Sequence, residues 1–344
     1  MSTTSLGLGR PSGWYFVRRS DELRPGQLVS RRFFGRDLIV YRTESGRVVA
    51  TEPYCPHLGA HFGHGGRVEG EELRCPFHGF RFDTEGGCVS TPYGFKAPPK
   101  ARVQVHKTHE VHGMILVWFD ELGREPWFDV PDYDMRGWPA FKTKTFDLRS
   151  HPQETTENSV DIGHLTVVHG FKNVRVVEDL RTDGPYLTAR YGMDRDATVF
   201  GRPGGWFKSE FTVHVHGLGY SKVDVDIDEL AMRTRQIVMP TPTEDDRIDL
   251  TIGMSIKLEE PTRLSRVLAV VPKWLTTKIA LELGMLGYSH DVAQDFDVWQ
   301  NKIYVETPML AKGDGPIGLY RRWCRQFYAD AQTNEPRERQ QAAR

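Results

Sequence analysis

The chain has 344 residues, 45 Lys and Arg against 46 Asp and Glu, and a formal net charge of −1. That length allows two domains with a sizeable core, while the balanced, interspersed charge leaves no electrostatic footprint for nucleic acid. Four scattered cysteines exclude a disulfide framework, and a reducing, cytoplasmic setting is expected. No uninterrupted apolar run reaches the ~20 residues of a membrane span.

The N-terminal MSTTSLGLGRPSG lacks the apolar core of a signal peptide. Its GLGRPSG follows no strand and contains Pro, so residues 1–13 read as a flexible lead-in rather than a dinucleotide loop. From 14 to 122 the pattern predicts an all-β domain. WYFV, DLIVYRT, RVVATEP and MILVWFD are short β-branched and aromatic runs set apart by Gly, Asp and Ser. Between them lies CPHLGAHFGHGGRVEGEELRCPFHG, with Cys55-x-His57 in one loop and Cys75-x-x-His78 in another. A zinc finger usually takes two Cys from one knuckle and two His from a following helix. Here each loop offers one thiolate and one imidazole, which suits a Rieske [2Fe–2S] cluster, where two His replace two Cys on one iron. Pro56, Gly59, Gly63, Gly65, Gly66, Pro76 and Gly79 supply the tight turns of such a pocket. Downstream, His106, His109 and His112 in HKTHEVHG read as a polar hairpin, not a further metal site.

Rich in Pro and Asp, EPWFDVPDYDMRGWP marks a linker over 123–139. In the second domain, 140–332, residues 153–169 and roughly 274–303 are predicted helices. FKSEFTVHVHGLGYSKVDVDI, MRTRQIVMP and RIDLTIGMSIKLEE are predicted strands of an antiparallel sheet. On the first helix Asn158, Asp161, His164 and Leu165 share one arc, and His169 precedes a helix-ending Gly170. Two His with a carboxylate and open positions make the facial triad of non-haem Fe(II) oxygenases. Alone, such a His pair is more often satisfied by ordinary hydrogen bonds; behind a Rieske pattern the balance reverses. The carboxylate must come from elsewhere, and HDVAQDFDVWQNKI offers Asp291, Asp295 and Asp297. Asp295 lies at the edge of the stripe Val292, Phe296, Trp299 and Ile303, whereas Asp291 and Asp297 point further out. His214 and His216 share one face of a strand, toward either a pocket or solvent. The apolar segment 264–289, broken by Pro272 and three basic residues, is either a core-covering helix or a lid in peripheral contact with a membrane. The polar tail 333–344 is expected to be disordered.

Taken together, residues 14 to about 330 resemble the oxygenase component of Rieske non-haem iron oxygenases. The Cys-x-His…Cys-x-x-His pattern and ENSVDIGHLTVVH match that family's two signatures. QDFDVWQNKIYVETPMLAKGDGPIGLYRRWCRQFYAD is similar to the end of bacterial ketosteroid 9α-hydroxylases and their sterol-desaturase relatives, although GFKNVRVVEDL after His169 follows that group only in part. The resemblance implies an α+β chain, an all-β Rieske [2Fe–2S] domain followed by a helix-grip (START-like) antiparallel-sheet catalytic domain, assembled as a homotrimer. It implies that Cys55, His57, Cys75 and His78 hold the cluster and that His164, His169 and Asp295 hold a mononuclear Fe(II). Asp161 matches the residue that bridges an iron-ligand His to a cluster His of the neighbouring subunit, and Asn158 is counted with it as catalytic. O2 is the implied co-substrate. With no P-loop, flavin fingerprint or plant-type ferredoxin spacing, the chain must draw electrons from a separate reductase, ferredoxin or both. The implied reaction is hydroxylation, oxidative demethylation or desaturation of a hydrophobic polycycle such as a steroid or sterol. The alternatives are a smaller aromatic or amine-bearing substrate, and a non-catalytic electron carrier.

Overall fold

The computed structural model describes residues 6–196, 206–259 and 271–329; the polar tail and residues 264–270 of the apolar segment lie outside them. Three small sheets build the first half. Gly13–Arg19, Met114–Phe119 and Thr108–Val111 form one, and Leu28–Phe33, Arg36–Arg42, Val48–Thr51 and Val105–His106 a second. Arg67–Glu69, Glu72–Arg74, Arg81–Phe82 and Cys88–Ser90 form the sheet that carries the cluster loops. Met114–Phe119 is buried along its whole length, as a central strand covered on both faces should be.

The second half is one antiparallel seven-stranded sheet. Its order is Lys142–Arg149, Arg247–Leu258, Met232–Glu244, Tyr220–Ile227, Trp206–His216, Tyr186–Asp196 and Lys172–Asp183. The last is an edge strand, largely exposed and irregular in register, which is why no alternation marks it in the sequence. Among the described residues five α-helices accompany this sheet: α1 (Pro152–Glu157), α2 (Gly163–Val167), α3 (Lys273–Ala293), α4 (Phe296–Asn301) and α5 (Ile317–Cys324). α3 seats on Arg247–Leu258 through Gly284, where an added Cβ would lie 2.6 Å from Ile256 Cδ1. Thr276, Met285 and Ser289 are its buried residues, while Trp274, Ile279, Leu283 and Leu286 face outward. The described part of the apolar segment thus covers the core and also leaves an apolar outer stripe. Among the described residues no helix is long and apolar enough to cross a membrane.

Both long helices predicted from the sequence are broken. The first stops after Glu157 and restarts at Gly163, because Val160 is drawn into the core and Ile162 N–H donates to the Asp314 carbonyl. The second pauses at Gln294 and Asp295 between α3 and α4, turning Asp295 inward. The expected flexible lead-in is also corrected over residues 6–12. Leu6 is buried, Ser12 N–H donates to the Phe327 carbonyl at 2.7 Å, and the Gly9 carbonyl meets His151 Nε2 at 3.0 Å.

The two halves share a core in which Trp14, Phe16 and Trp118 pack with Leu187, Val215 and Ile237. Beside it, His112 stacks on Tyr133 of the linker at 3.5 Å. Tyr133 N–H donates to His112 Nε2 and the opposite Nδ1 meets the Tyr220 hydroxyl at 3.1 Å, an arrangement that requires neutral imidazole. Burial, reinforced by Lys222 and opposed by Asp132, pushes His112 down to about 4; burial likewise takes His151 to about 4 and His216 to about 3. These groups titrate near 6.5 when unfolded. Their stabilising contribution is therefore complete above about pH 6.5 and lost as the pH falls toward 4, where only the unfolded chain takes up the protons. The urea midpoint should drop between pH 7.5 and 5, and by less in His112→Gln. An equal drop in that variant would assign the acid loss to other groups.

Candidate metal centres and substrate cavity

The two cluster loops are built alike. Cys55 N–H donates to the Ala60 carbonyl and Cys75 N–H to the Phe80 carbonyl, while the N–H groups of Gly59 and Gly79 return to the carbonyls of Cys55 and Cys75. Gly59 and Gly79 sit at φ 74° and 68°, a left-handed conformation that other residues adopt only with strain. The loops bury both thiols and bring the His57 and His78 rings to 4.8 Å. Burial, with Cys75 beside it, pushes the Cys55 thiol up to about 12. Nδ1 of each His is buried without a hydrogen-bond partner. Two orphaned imidazole nitrogens and two buried sulfurs on a matched pair of loops fit a cluster that would satisfy all four. Cys88 and Cys324 are free cysteines elsewhere.

In the second half the chain brings together His164, His169 and Asp295, whose ligand atoms all lie within 4.8 Å of one another. His164 Nδ1 bonds the Asp161 backbone carbonyl at 2.7 Å and His169 Nδ1 bonds Gln294 Oε1 at 2.8 Å. Both rings are thereby turned to present Nε2, as supporting partners of metal-bound His do. Asp295 reaches to 3.5 Å from His169 Nε2 and takes a hydrogen bond from Asn158. Burial raises its carboxyl against the pull of the two imidazoles. This donor set and its spacing fit a divalent iron. Asp297 is exposed, and Asp291 instead pairs with Arg195.

Asp161 holds His164 differently from the expected carboxylate contact. The ring takes the backbone carbonyl, while Oδ1 accepts from His164 N–H at 3.2 Å and stays 3.7 Å from Nδ1. Burial pushes this carboxyl up, but the His164 interactions outweigh it and keep the group below its ordinary range. The part played by Gln294 was not visible in the sequence; its only signal is its place beside Asp295.

His164, His169, Asp295 and Asn158 lie on the wall of a cavity of about 930 Å³, counted out to its open mouth. Its lining is mainly apolar, with Leu165, Phe211, Val213, Val223, Val238 and Trp299 prominent. His214 and His216 line none of it: His214 lies 3.7 Å from Asp224, and His216 is buried between Tyr186 and Tyr220. The HKTHEVHG histidines likewise separate, His106 to Glu52, His109 to the Val130 carbonyl and His112 to Tyr220.

The family described as Rieske [2Fe-2S] domain matches residues 13–103, and that described as 3-ketosteroid 9alpha-hydroxylase C-terminal domain matches residues 117–328. Cholesterol 7-desaturase nvd 1 of Ciona intestinalis is 30% identical, over 95% of this chain and 70% of its own. The oxygenase component of a 3-ketosteroid-9-alpha-monooxygenase of Rhodococcus rhodochrous is 28% identical, over 93% and 82%. Among solved structures, dicamba monooxygenase bound to dicamba superposes with a TM-score of 0.63 at 20% identity, covering 96% of this chain and 98% of that one. NdmA of Pseudomonas putida CBB5 with caffeine gives 0.66 at 17%, covering 91% and 89%.

Proposed function

Since the chain belongs to the Rieske oxygenases whose catalytic half is the 3-ketosteroid 9α-hydroxylase C-terminal domain, we propose that it is the terminal oxygenase of a multi-component system oxidising a hydrophobic polycycle of the steroid or sterol class. The observation that carries this reading is the convergence of His164, His169 and Asp295 on the wall of a largely apolar cavity. The relatives named for ketosteroid oxidation and sterol desaturation support the substrate class. The likeness to the dicamba and caffeine structures supports the fold alone.

Cys55, His57, Cys75 and His78 would hold the cluster, which supplies single electrons drawn from a separate reductase or ferredoxin, and His164, His169 and Asp295 would hold a mononuclear iron, which supplies activation of O2. The protein's own part is positional. The Asp161 carbonyl and Gln294 fix the two imidazoles, Asn158 steadies the Asp295 carboxylate, and the Val and Phe side chains of the sheet keep water from the bound polycycle. A homotrimer, in which Asp161 meets a cluster His of the next subunit, completes the proposal.

The test supplies the enzyme with a reductase, a ferredoxin and O2, and offers androst-4-ene-3,17-dione, cholesterol and a panel of small aromatics. A steroid product heavier by one oxygen or lighter by two hydrogens is expected; turnover of the aromatics alone would reject the reading. Iron content separates it from an electron carrier, with about three irons per chain expected instead of the cluster's two. At the cluster, His57→Cys or His78→Cys should retain a [2Fe–2S] absorbance yet lower its potential by roughly 250 mV or more. An unchanged potential would show that the imidazoles are not ligands.

A further inference from the structure

One feature of the cavity wall has no part in holding either metal. Arg195, near the end of the strand Tyr186–Asp196, pairs with Asp291 on α3, and the two side chains are only 18% and 20% exposed. The guanidinium lies 4.7 Å from the Phe171 ring centroid, and Phe171 in turn stacks on the His169 imidazole at 5.3 Å. One aromatic ring thus stands between Arg195 and an iron-ligand candidate. Arg195, Asp291, Tyr288 and Gln236 line the large cavity and also a smaller recess beneath α3, walled by Ile227, Met232, Met254 and Ile256. They form a polar waist between two apolar spaces.

As a clamp between strand and helix, an ion pair withdrawn from water is a weak device, since apolar replacements of such pairs are often neutral or stabilising. As a recognition group it has a use. Arg presents five N–H donors in a rigid fork, so its bond to Asp291 leaves others for the cavity. Asp291 also balances the charge. The waist therefore favours a neutral acceptor, a ketone or hydroxyl oxygen, over a carboxylate that Asp291 would repel.

We propose that Arg195 is a specificity-determining residue that donates a hydrogen bond to a neutral oxygen on the end of the substrate remote from the His164–His169–Asp295 site. It thereby selects which carbon is presented there, while the recess beyond receives the apolar group beside that oxygen. This rests on the reading of the cavity as a polycycle site.

The test is titration calorimetry on the holoenzyme without reductant, comparing androst-4-ene-3,17-dione with its parent hydrocarbon 5α-androstane. The wild type should prefer the dione by about tenfold or more, the range of a hydrogen bond from a charged donor. Arg195→Met combined with Asp291→Leu avoids a lone buried charge and should erase that preference with hydrocarbon affinity held. Arg195→Lys, which keeps a donor, should retain part of it. Preference intact in the double variant, or equal weakening of both ligands, would overturn the proposal by leaving Arg195 a structural role. Should the double variant fail to fold, Arg195→Met alone, which also lacks a donor, decides by the same ratio. A wild type that binds neither ligand would remove the polycycle reading and this inference with it, whereas steroid turnover with an unmoved ratio would remove this inference alone.

Discussion

Asp295→Ala is expected to leave the Rieske absorbance intact while the second iron is lost and turnover falls to background. The carboxylate is the sole acidic member of the His164–His169–Asp295 group, and its neighbours are arranged to serve it: Asn158 donates to it and His169 Nε2 stands 3.5 Å away. Its removal leaves two neutral imidazoles, which hold a divalent ion far less well than a set that includes an anion. The backbone should survive, because at the break between α3 and α4 Asp295 contributes its carbonyl to Trp299 N–H, and alanine keeps that bond. Gln294→Ala provides a scale. It removes only the support of His169 and should cost about 10–100-fold in iron affinity. Asp297→Ala, on the exposed side of α4, should change neither iron content nor rate. Iron and sulfide assays with the visible spectrum check all three. Loss of iron in Asp297→Ala with retention in Asp295→Ala would move the ligand by two residues.

How much of this was legible in the sequence depends on how far each signal reaches. The cluster loops were legible because their chemistry is local: one Cys, one His and a left-handed Gly recur within five residues, twice. The long strand Trp206–His216 was legible because burial favours one face along its first half, and Arg247–Leu258 because Ile, Leu and Met recur at every second position even though its centre is buried on both faces. Lys172–Asp183 was not, because an exposed edge strand has no buried face to mark. The breaks in the two long helices were also hidden. A helical wheel extends the period past Asn158 and Gln294, whereas tertiary ties at Val160, Ile162 and Asp295 end the helices there. The inward turn of Asp295 was nevertheless anticipated by its place at the edge of an apolar stripe. The tie between Arg195 and Asp291 joins positions 96 apart, a pairing that only the folded sheet creates. Residues 6–12 looked mobile by composition, and their anchors lie far along the chain at His151 and Phe327.

Asp161→Ala is expected to keep both metal centres and nearly abolish turnover. Its backbone carbonyl holds the His164 ring, a contact the substitution preserves, so iron should remain bound. What alanine removes is the carboxylate, which the His164 interactions keep anionic and which is 29% exposed at the surface beside the iron-ligand candidate. In the proposed trimer that carboxylate accepts a hydrogen bond from a cluster imidazole of the neighbour and joins the two centres across the subunit boundary. The cluster loops suit such a contact, since Leu58 and Phe77, beside His57 and His78, are 64% and 63% exposed. Mixed assemblies give the sharper result. A His57→Ala chain lacks a working cluster and a His164→Ala chain lacks a working iron site, so each alone should be inactive. Co-assembled, an intact cluster on one chain can face an intact iron site on the next, and part of the activity should return. Two affinity tags, one on each chain, isolate the mixed rings for assay. Mixed rings that form and stay inactive would leave electron transfer within a single chain as the route and assign Asp161 to holding α2 alone.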